Sequence, residues 1–280
     1  MPRRRTRTAL LWLSLVVLGI ALAAPARAQA ELSLPPGFQA RTLVSDLAQP
    51  TGVAFAPSSD GRAFVIEKAG VLGVVKPGQT TATGVLDISD RVNAASDRGL
   101  LGIAVDSSFA TNGYVYLLYT YDVGAPGDRD NEFVETVSQL LRIKLRADSS
   151  VAAEKVILGT YTQGPCPTPD PGTAGYALDC IPSNGPSHSI GTVRSAPDGT
   201  LFLGSGDSSD YGSVDSLAFR TYNENSYAGK ILHVDREGNG IAGHPFCPGA
   251  ALDRNCAKLW AKGFRNPYRF ALRPNGAGLS

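Results

Sequence analysis

"GTVRSAPDGTLFLGSGD", residues 191–207, decides the fold class of this chain. A short apolar segment leads through Pro-Asp-Gly into a second, more apolar segment. Asp-Gly supplies the positive φ that a tight turn needs, and the flanking β-branched and aromatic residues fit a pleated surface. The stretch therefore predicts a β-hairpin. The same pattern returns in GVAFAPSSDGRAFVIEK from Gly52, GIAVDSSFATNGYVYLLYT from Gly102 and RFALRPNGAGLS from Arg269.

A third strand is predicted after each of the first three hairpins. The segments are GVLGVVKPG at 70–78, SQLLRIKL at 138–145 and GKILHVD at 229–235. An antiparallel sheet of three or four strands that repeats with variable insertions is typical of a propeller blade, so the chain is predicted to be an all-β propeller. A β-sandwich is the alternative fold, but its strands would not return in such similar triplets.

The repeat also predicts how much of a propeller is present. The fourth hairpin copy reaches Ser280 before its second strand, which gives about three and a half to four blades. A propeller ring has to close so that its first and last blades bury each other's faces. We therefore expect the chain to be a fragment of a complete propeller.

The first thirty residues read as a secretory signal peptide. Basic MPRRRTRT is followed by apolar ALLWLSLVVLGIALAA and by small residues in PARAQA, the order that signal peptidase recognises. A retained anchor is the alternative. Cleavage would leave 31–280 as a partial propeller domain outside the cytoplasm, and no later segment has the about 18 consecutive apolar residues of a membrane span.

Charge and cysteine content narrow the function class. The formal net charge is +1, and the densest basic run lies in the predicted signal peptide, so nucleic acid is not an expected partner. The four cysteines form two local couples, Cys166 with Cys180 and Cys247 with Cys256. In an exported protein such couples predict two disulfides. A zinc site, free thiols and other connectivities are the alternatives.

Five segments in a fixed order carry a family resemblance, which spans nearly all of 34–280. The chain resembles the glucose/sorbosone dehydrogenase family, the soluble sugar dehydrogenases that use pyrroloquinoline quinone (PQQ). The segments GLLGIA with NGYVY, and GFRNPYRFAL after them, are the most specific. In full, the segments are LPPGFQARTLVSDLAQPTGVAFAP (34–57), DRGLLGIAVDSSFATNGYVYLLYT (97–120), HSIGTVRSAPDGTLFLGSGD (188–207), YAGKILHVDREG (227–238) and LWAKGFRNPYRFALRP (259–274).

The resemblance implies a six-bladed β-propeller with PQQ and calcium at its top face. Insertions relative to the family lie near 122–135 and 160–182. The implied reaction moves a hydride from a sugar CH–OH carbon to the quinone, and the electrons then pass to an external acceptor. The implied calcium ligands fall beyond residue 280, so none is assigned within this chain.

Three residues match the family's reacting and cofactor positions. In that family a histidine just ahead of the strand before the Pro-Asp-Gly turn is the general base, and His188 holds this place. The Arg-Asn of the RNP segment, here Arg265 and Asn266, lies against the cofactor. An imidazole titrates near neutrality, which suits a base that removes a hydroxyl proton. A planar guanidinium suits stabilisation of a reduced quinone, so Arg265 is also predicted to be catalytic.

Two aspartates are predicted to contact the sugar. The family carries a polar residue just ahead of GLLG, and that place falls on Asp97 or, one step later, on Arg98. An exposed pair of opposite charges is the alternative there. Asp207 follows the second strand of the hairpin that His188 precedes, and it is predicted either to orient a substrate hydroxyl or to cap the following turn.

Two questions stay open at the level of sequence. His188 is one of only three histidines, yet a solvated loop histidine is the alternative reading of it. Its neighbour is Ser187, where relatives often carry aspartate or asparagine, so the sequence does not identify a carboxylate that would fix the imidazole. A non-catalytic propeller that binds carbohydrate or protein at its top face is the alternative function.

Overall fold

A computed structural model describes residues 33–57, 59–124, 130–168 and 176–273. The predicted signal peptide, 1–30, lies outside these residues. The chain divides into two compact units, Met1–Arg41 and Thr42–Ser280. In the first unit, 33–41 is a coil with one turn, in which the Phe38 amide donates to the Pro35 carbonyl.

The second unit contains three antiparallel sheets in its described residues. The first sheet is β1 (Pro50–Phe55), β2 (Ala63–Glu67), β3 (Val71–Val75) and β4 (Thr83–Asp87), in that order. The second is β5 (Leu100–Val105), β6 (Tyr114–Asp122), β7 (Thr136–Leu145) and β8 (Val151–Leu158), with β9 (Ile181–Pro182) paired to β7 beyond the end of β8. The third is β10 (Ile190–Ser195), β11 (Leu201–Ser205), β12 (Lys230–Val234) and β13 (Leu259–Lys262).

These strands confirm the all-β prediction and the first three hairpins. In the second hairpin, a one-turn helix α1 (Phe109–Asn112) replaces the expected tight turn and ends at Gly113 in the left-handed region. The described residues also include two short 3₁₀ helices, Ser216–Tyr222 and Asn255–Lys258. No helix in the described part of the chain is long and apolar enough to cross a membrane.

The fourth predicted hairpin is wrong for the residues that the structure describes. Residues 264–273 form no strand, and 274–280 lie outside the described ranges. The segment runs beside β10, but the Tyr268 carbonyl accepts a hydrogen bond from the side-chain hydroxyl of Thr192 (3.2 Å) instead of joining a ladder of backbone amides. A strand assignment requires such a ladder.

The first strands of the three sheets pack directly against one another, β1 on β5 and β5 on β10. Glycines make this approach possible. A methyl group at Gly102 would meet the Gly191 carbonyl oxygen, and one at Gly191 would overlap the Tyr268 carbonyl. Gly52, Gly102 and Gly191 each begin one of the three repeats, so the repeat places a residue without a side chain at each close contact, against backbone at Gly102 and Gly191 and against isoleucine side chains at Gly52.

The second sheet is buried on both faces. Side chains of β5 and β6 alternate between two apolar cores, one shared with the first sheet and one shared with the third. The first core contains Leu100, Ile103, Val115, Leu117 and Tyr119 from these two strands, and the second contains Leu101, Ala104, Tyr116 and Leu118.

Each first strand carries one extra residue near its beginning. The register of β1 against β2 shifts between Pro50 and Gly52, and that of β5 against β6 shifts between Leu100 and Gly102. The register of β10 against β11 shifts between Ile190 and Val193. A β-bulge of this kind redirects the residues that precede it. All three bulges lie at the same end of their sheets.

A buried carboxylate joins the second and third sheets at the opposite end. Both oxygens of Asp106 accept from the Arg236 guanidinium, at 2.8 and 2.9 Å. Asp106 also accepts from the Tyr116 hydroxyl (2.6 Å), the Ser108 amide and the Asn112 side chain. Burial raises the pKa of Asp106, but these hydrogen bonds outweigh burial and lower the pKa to about 2.

Both predicted disulfides are present, Cys166–Cys180 and Cys247–Cys256. The first is buried among Val137, Leu178 and other apolar residues at the end of the second sheet where β9 pairs. It therefore links two parts of the 160–182 insertion to each other where the insertion packs against Val137 of that sheet.

A methyl group at Gly191 is expected to destabilise the protein. Gly191→Ala forces apart β10 and the segment containing Tyr268, and overpacking of this kind lowers the free energy of unfolding by about 1–3 kcal/mol. Urea denaturation measures the change. Gly84→Ala in β4 is the matched control, because an added methyl there meets open space and should change stability by less than about 0.5 kcal/mol. Equal effects of the two substitutions would contradict the close approach.

The Asp106 carboxylate is expected to make stability depend on pH in acid. Its pKa is lowered on folding, so its contribution is present above the ordinary aspartate pKa and is lost as the pH falls towards 2. Asp106→Asn should cost about 2 kcal/mol at pH 7, and the difference from wild type should shrink between pH 4 and pH 2. Urea denaturation across this range tests it, with the exposed Asp253→Asn as control. A difference that does not vary with pH would refute the assignment.

Candidate functional site

His188 and Asp207 form a buried side-chain pair at the bulged end of the third sheet. Nδ1 of His188 lies 3.0 Å from Oδ1 of Asp207, and both residues are less than a tenth exposed. The same aspartate oxygen accepts from the Ser209 amide (3.0 Å). An ionised carboxylate can only accept, so Nδ1 carries the proton and Nε2 of the neutral imidazole keeps its lone pair.

The β10 bulge brings this pair together. The turn of the hairpin pairs Val193 with Leu203, a register that would place His188 opposite Ser208. The extra residue changes the register so that Ile190 pairs with Ser205, and its continuation places His188 opposite Asp207. The geometry of the pair therefore depends on one residue inserted between the turn and the site.

Backbone hydrogen bonds hold His188 in an uncommon conformation. Its φ is +53°, in the left-handed region that costs a non-glycine residue free energy. The His188 amide donates to Oδ2 of Asp97 (3.1 Å), and its carbonyl accepts from the Ser208 amide (3.0 Å). The Asp97 amide in turn donates to the Pro186 carbonyl (3.0 Å). Asp97, which lies just ahead of the second sheet, thus binds the loop that carries His188 through both its side chain and its backbone amide.

A buried arginine holds the other member of the pair. Nη2 of Arg220 donates to the Asp207 carbonyl (3.0 Å), and Nη1 donates to Oδ1 of Asn184 (2.8 Å). Arg220 itself lies in the Ser216–Tyr222 helix, whose backbone is fixed by Lys230. The fully buried Lys230 ammonium donates to the carbonyls of Arg220, Thr221 and Ala228.

Two clefts lie at this end of the sheets. One, of about 260 Å³, is lined by Asp97, Asn266 and Lys68, among others. The other, of about 360 Å³, is lined by Asp207 and Arg265 together with exposed aromatic side chains. All five predicted site residues thus lie at one end of the sheets, and the consecutive Arg265 and Asn266 reach different clefts.

Arg265 presents a free cationic group at this site. Its carbonyl accepts from the Asp207 amide (2.8 Å), which fixes the backbone beside the pair. The guanidinium is exposed and makes no hydrogen bond or ion pair with any residue in the described ranges. It is therefore available to an anionic ligand.

The structure changes the interpretation of Asp207, Ser187 and Arg98. Oδ1 of Asp207 contacts Nδ1 of His188 and accepts from the Ser209 amide in the following turn. Asp207 is therefore the carboxylate that fixes the imidazole, which the sequence did not identify. Ser187 donates instead to the Ser209 carbonyl (3.0 Å). Arg98 is fully buried, which excludes an exposed Asp97–Arg98 charge couple, although Asp97 is exposed.

Sequence reasoning missed Arg220 and Lys230. Neither lies in a recognisable motif, and each acts through backbone carbonyls, which have no signature in a sequence. His233 is a residue of strand β12 that stacks on Phe202 and contacts the Thr200 hydroxyl (2.8 Å). Across the described residues, no cluster of three or more His, Cys, Asp or Glu side chains could hold a metal ion.

Comparison with known proteins places this chain in a family. The family model described as Glucose / Sorbosone dehydrogenase matches residues 47–167 and 178–279. The chain belongs to the glucose/sorbosone dehydrogenase family. The match covers all three sheets and every candidate site residue, and the gap within it falls in the 160–182 insertion.

Solved structures share the fold of this glucose/sorbosone dehydrogenase chain. An oxidoreductase from Thermus thermophilus described as a glucose dehydrogenase is 23% identical, with a TM-score of 0.60 over 84% of this chain and 57% of its own. The PQQ-bound aldose sugar dehydrogenase of Streptomyces coelicolor is 22% identical, with a TM-score of 0.56 over 81% and 54%. The apo-form of the soluble aldose sugar dehydrogenase of Escherichia coli is 19% identical, with a TM-score of 0.57 over 84% and 56%. This chain therefore spans little more than half the length of these relatives.

The pairing with Asp207 is expected to fix the tautomer of His188. Long-range ¹H–¹⁵N NMR of the neutral imidazole should show the proton on Nδ1, because the carboxylate accepts it. Asp207→Ala should shift the population towards the Nε2–H tautomer. Ser187→Ala, whose hydroxyl bonds elsewhere, should leave the tautomer unchanged. A neutral His188 that already carries its proton on Nε2 in the wild type would contradict the pairing.

Proposed function

We propose that this protein is an exported, PQQ-dependent dehydrogenase that oxidises an aldose or related sugar at a CH–OH carbon and passes the electrons to an external acceptor. The observation that carries the proposal is the buried His188–Asp207 pair, whose Asp207 lines the same cleft as Arg265. Family membership and the PQQ-bound relative from Streptomyces coelicolor support the choice of cofactor.

We also propose the architecture of the whole protein. Residues 1–30 would be a signal peptide, and 31–280 would supply part of a six-bladed propeller that carries the site at one end of its blades. Three sheets of the same strand order, packed first strand to first strand, support this arrangement. The two disulfides support a location outside the cytoplasm.

His188 would act as the general base. Asp207 holds the proton on Nδ1, so Nε2 is the atom that can take the proton from the sugar hydroxyl. A carboxylate behind the imidazole also stabilises the imidazolium that forms. Asp207 would therefore contribute to sugar oxidation through His188 and not by accepting a hydrogen bond from a substrate hydroxyl at Oδ1. Asp97 faces the smaller cleft and remains the proposed sugar-binding carboxylate.

Arg265 and Asn266 would hold the cofactor. When bound, PQQ supplies the quinone that accepts the hydride. Its carboxylates suit the exposed Arg265 guanidinium, which has no partner in the described residues, and the Asn266 amide offers both a donor and an acceptor at the neighbouring cleft. A fixed guanidinium also stabilises negative charge that develops on a bound group. Calcium stays part of the proposal through the family alone, and we assign it no ligand among the described residues.

Reconstitution with PQQ and Ca²⁺, followed by dye-reduction assays on a panel of aldoses, tests the proposal. His188→Ala is expected to lower kcat by about 10²–10⁴-fold, the usual contribution of a general base. Arg265→Ala is expected to weaken PQQ binding in calorimetry. The control is His233→Gln at the far end of the third sheet, which should leave both unchanged. No PQQ binding, or full activity in His188→Ala, would reject the catalytic reading in favour of a propeller that only binds carbohydrate or protein.

A further inference from the structure

One face of the second sheet changes from apolar to polar at the end near His188, although its side chains stay buried there. The face of β6 and β7 towards the third sheet is apolar at Tyr116, Leu118 and Leu140. Two residues closer to the site, after Leu118 in β6 and before Leu140 in β7, the same face becomes polar. Its buried polar residues are Thr120, Asp122, Thr136 and Ser138, of which Thr120 lies opposite Ser138 and Asp122 lies opposite Thr136.

This polar face, the side chain of Arg98 and the chain at Ser183 form a buried cluster of polar side chains, which we name the buried polar chamber and which consists of Arg98, Thr120, Asp122, Ser138 and Ser183. Ser183 follows β9, which pairs with β7 at Val137 and Ser138. Its carbonyl accepts from Nη2 of Arg98 and from the Thr136 hydroxyl. Burial lowers the pKa of Arg98, and the negative charge of Asp122 opposes this without outweighing it. The chamber thus combines opposite charges with hydroxyl groups.

Four side-chain atoms of the chamber lack hydrogen-bond partners among the described residues. They are Nε of Arg98, Oγ1 of Thr120, Oγ of Ser138 and Oγ of Ser183, and all four residues are fully buried. A buried polar atom without a partner costs on the order of 1–3 kcal/mol, so such atoms in a native protein usually bind internal water. A donor and three hydroxyls, which can donate or accept, are the partners that ordered water requires.

One nitrogen of Arg98, Nη2, holds the loop that carries His188, while Nη1 donates to the Glu132 carbonyl (3.2 Å) and to groups near it. Nη2 donates to the carbonyls of Ser183 (3.3 Å) and Asn184 (3.1 Å), at the beginning of that loop. Asp97, the preceding residue, binds the His188 amide at the end of the loop. Two consecutive residues thus fasten both ends of 183–188. The Arg98 guanidinium accomplishes this with backbone carbonyls, which a lysine could not contact in the same planar arrangement.

We propose that Arg98 is a positioning residue for His188 and that ordered water in the buried polar chamber completes its hydrogen bonds. The inference rests on the proposed role of His188 as a base. Arg98 does not contact the clefts and acts through the carbonyls of 183 and 184, which help to hold His188 at its positive φ. Water bound to Arg98 Nε and the three hydroxyls joins that guanidinium to the second sheet.

Arg98→Met and the milder Arg98→Lys test the positioning role. In the reconstituted enzyme, both should lower kcat more than they raise KM, with a loss of about tenfold to 100-fold in Arg98→Met, because misplacing a base by a fraction of an ångström slows proton transfer. In both variants the ¹⁵N signals of His188 should shift towards those of Asp207→Ala. The control is Arg236→Met, which removes the arginine of the Asp106 pair and should lower stability without moving the His188 signals.

The NMR measurement separates this inference from the proposed function. If His188 signals move in the Arg98 variants but the wild type oxidises no sugar, positioning stands and the enzyme assignment fails. The positioning role is refuted if the wild type is active and both Arg98 variants show the same His188 NMR signals and the same ratio of kcat to KM as the wild type.

A crystal structure of the wild type and of Thr120→Val tests the water. We expect density for water within hydrogen-bond distance of Arg98 Nε in the wild type. Thr120→Val exchanges the hydroxyl for a methyl group of similar size and should displace or weaken at least one such water. A dry chamber in the wild type would overturn this part of the inference.

Discussion

The close approach of the first strands of the three sheets is the constraint on which the rest of the structure depends. The approach of β5 to β10 requires a residue with no side chain at Gly102, where an added Cβ would meet the Gly191 carbonyl, and Gly191 meets the same requirement against the segment containing Tyr268. Once these strands are in contact, the second sheet can bury both of its faces, and two apolar cores form in place of one. Larger residues at these positions would separate the sheets and open both cores.

The same packing assembles the site from distant parts of the chain. Asp97 precedes the second sheet, His188 and Asp207 flank a hairpin of the third, and Arg265 follows the last strand. The positive φ of His188 costs on the order of 1–3 kcal/mol, and backbone hydrogen bonds to Asp97 and Ser208 offset that cost. The surrounding protein therefore fixes the orientation of the imidazole.

Much of the fold could be predicted from the sequence because hairpins are local. Alternation and turn residues within about twenty positions give the strands, and the Cys166–Cys180 spacing gives a disulfide. The pairing of His188 with Asp207 could not be predicted, because the turn alone sets a register that places Ser208 opposite the histidine. The burial of Arg98 could not be predicted either, because Nη2 binds the backbone carbonyls of Ser183 and Asn184, which are distant in sequence.

The bulge in β10 has a consequence for anyone who would transplant this site to another protein. Copying His188 and Asp207 onto an ordinary hairpin with the same Pro-Asp-Gly turn would place the two side chains one residue out of step. The graft has to carry the inserted residue as well. The smallest unit that can be transplanted is thus the hairpin together with its β-bulge. A design with ideal strands would remove the bulge and with it the alignment of His188 with Asp207.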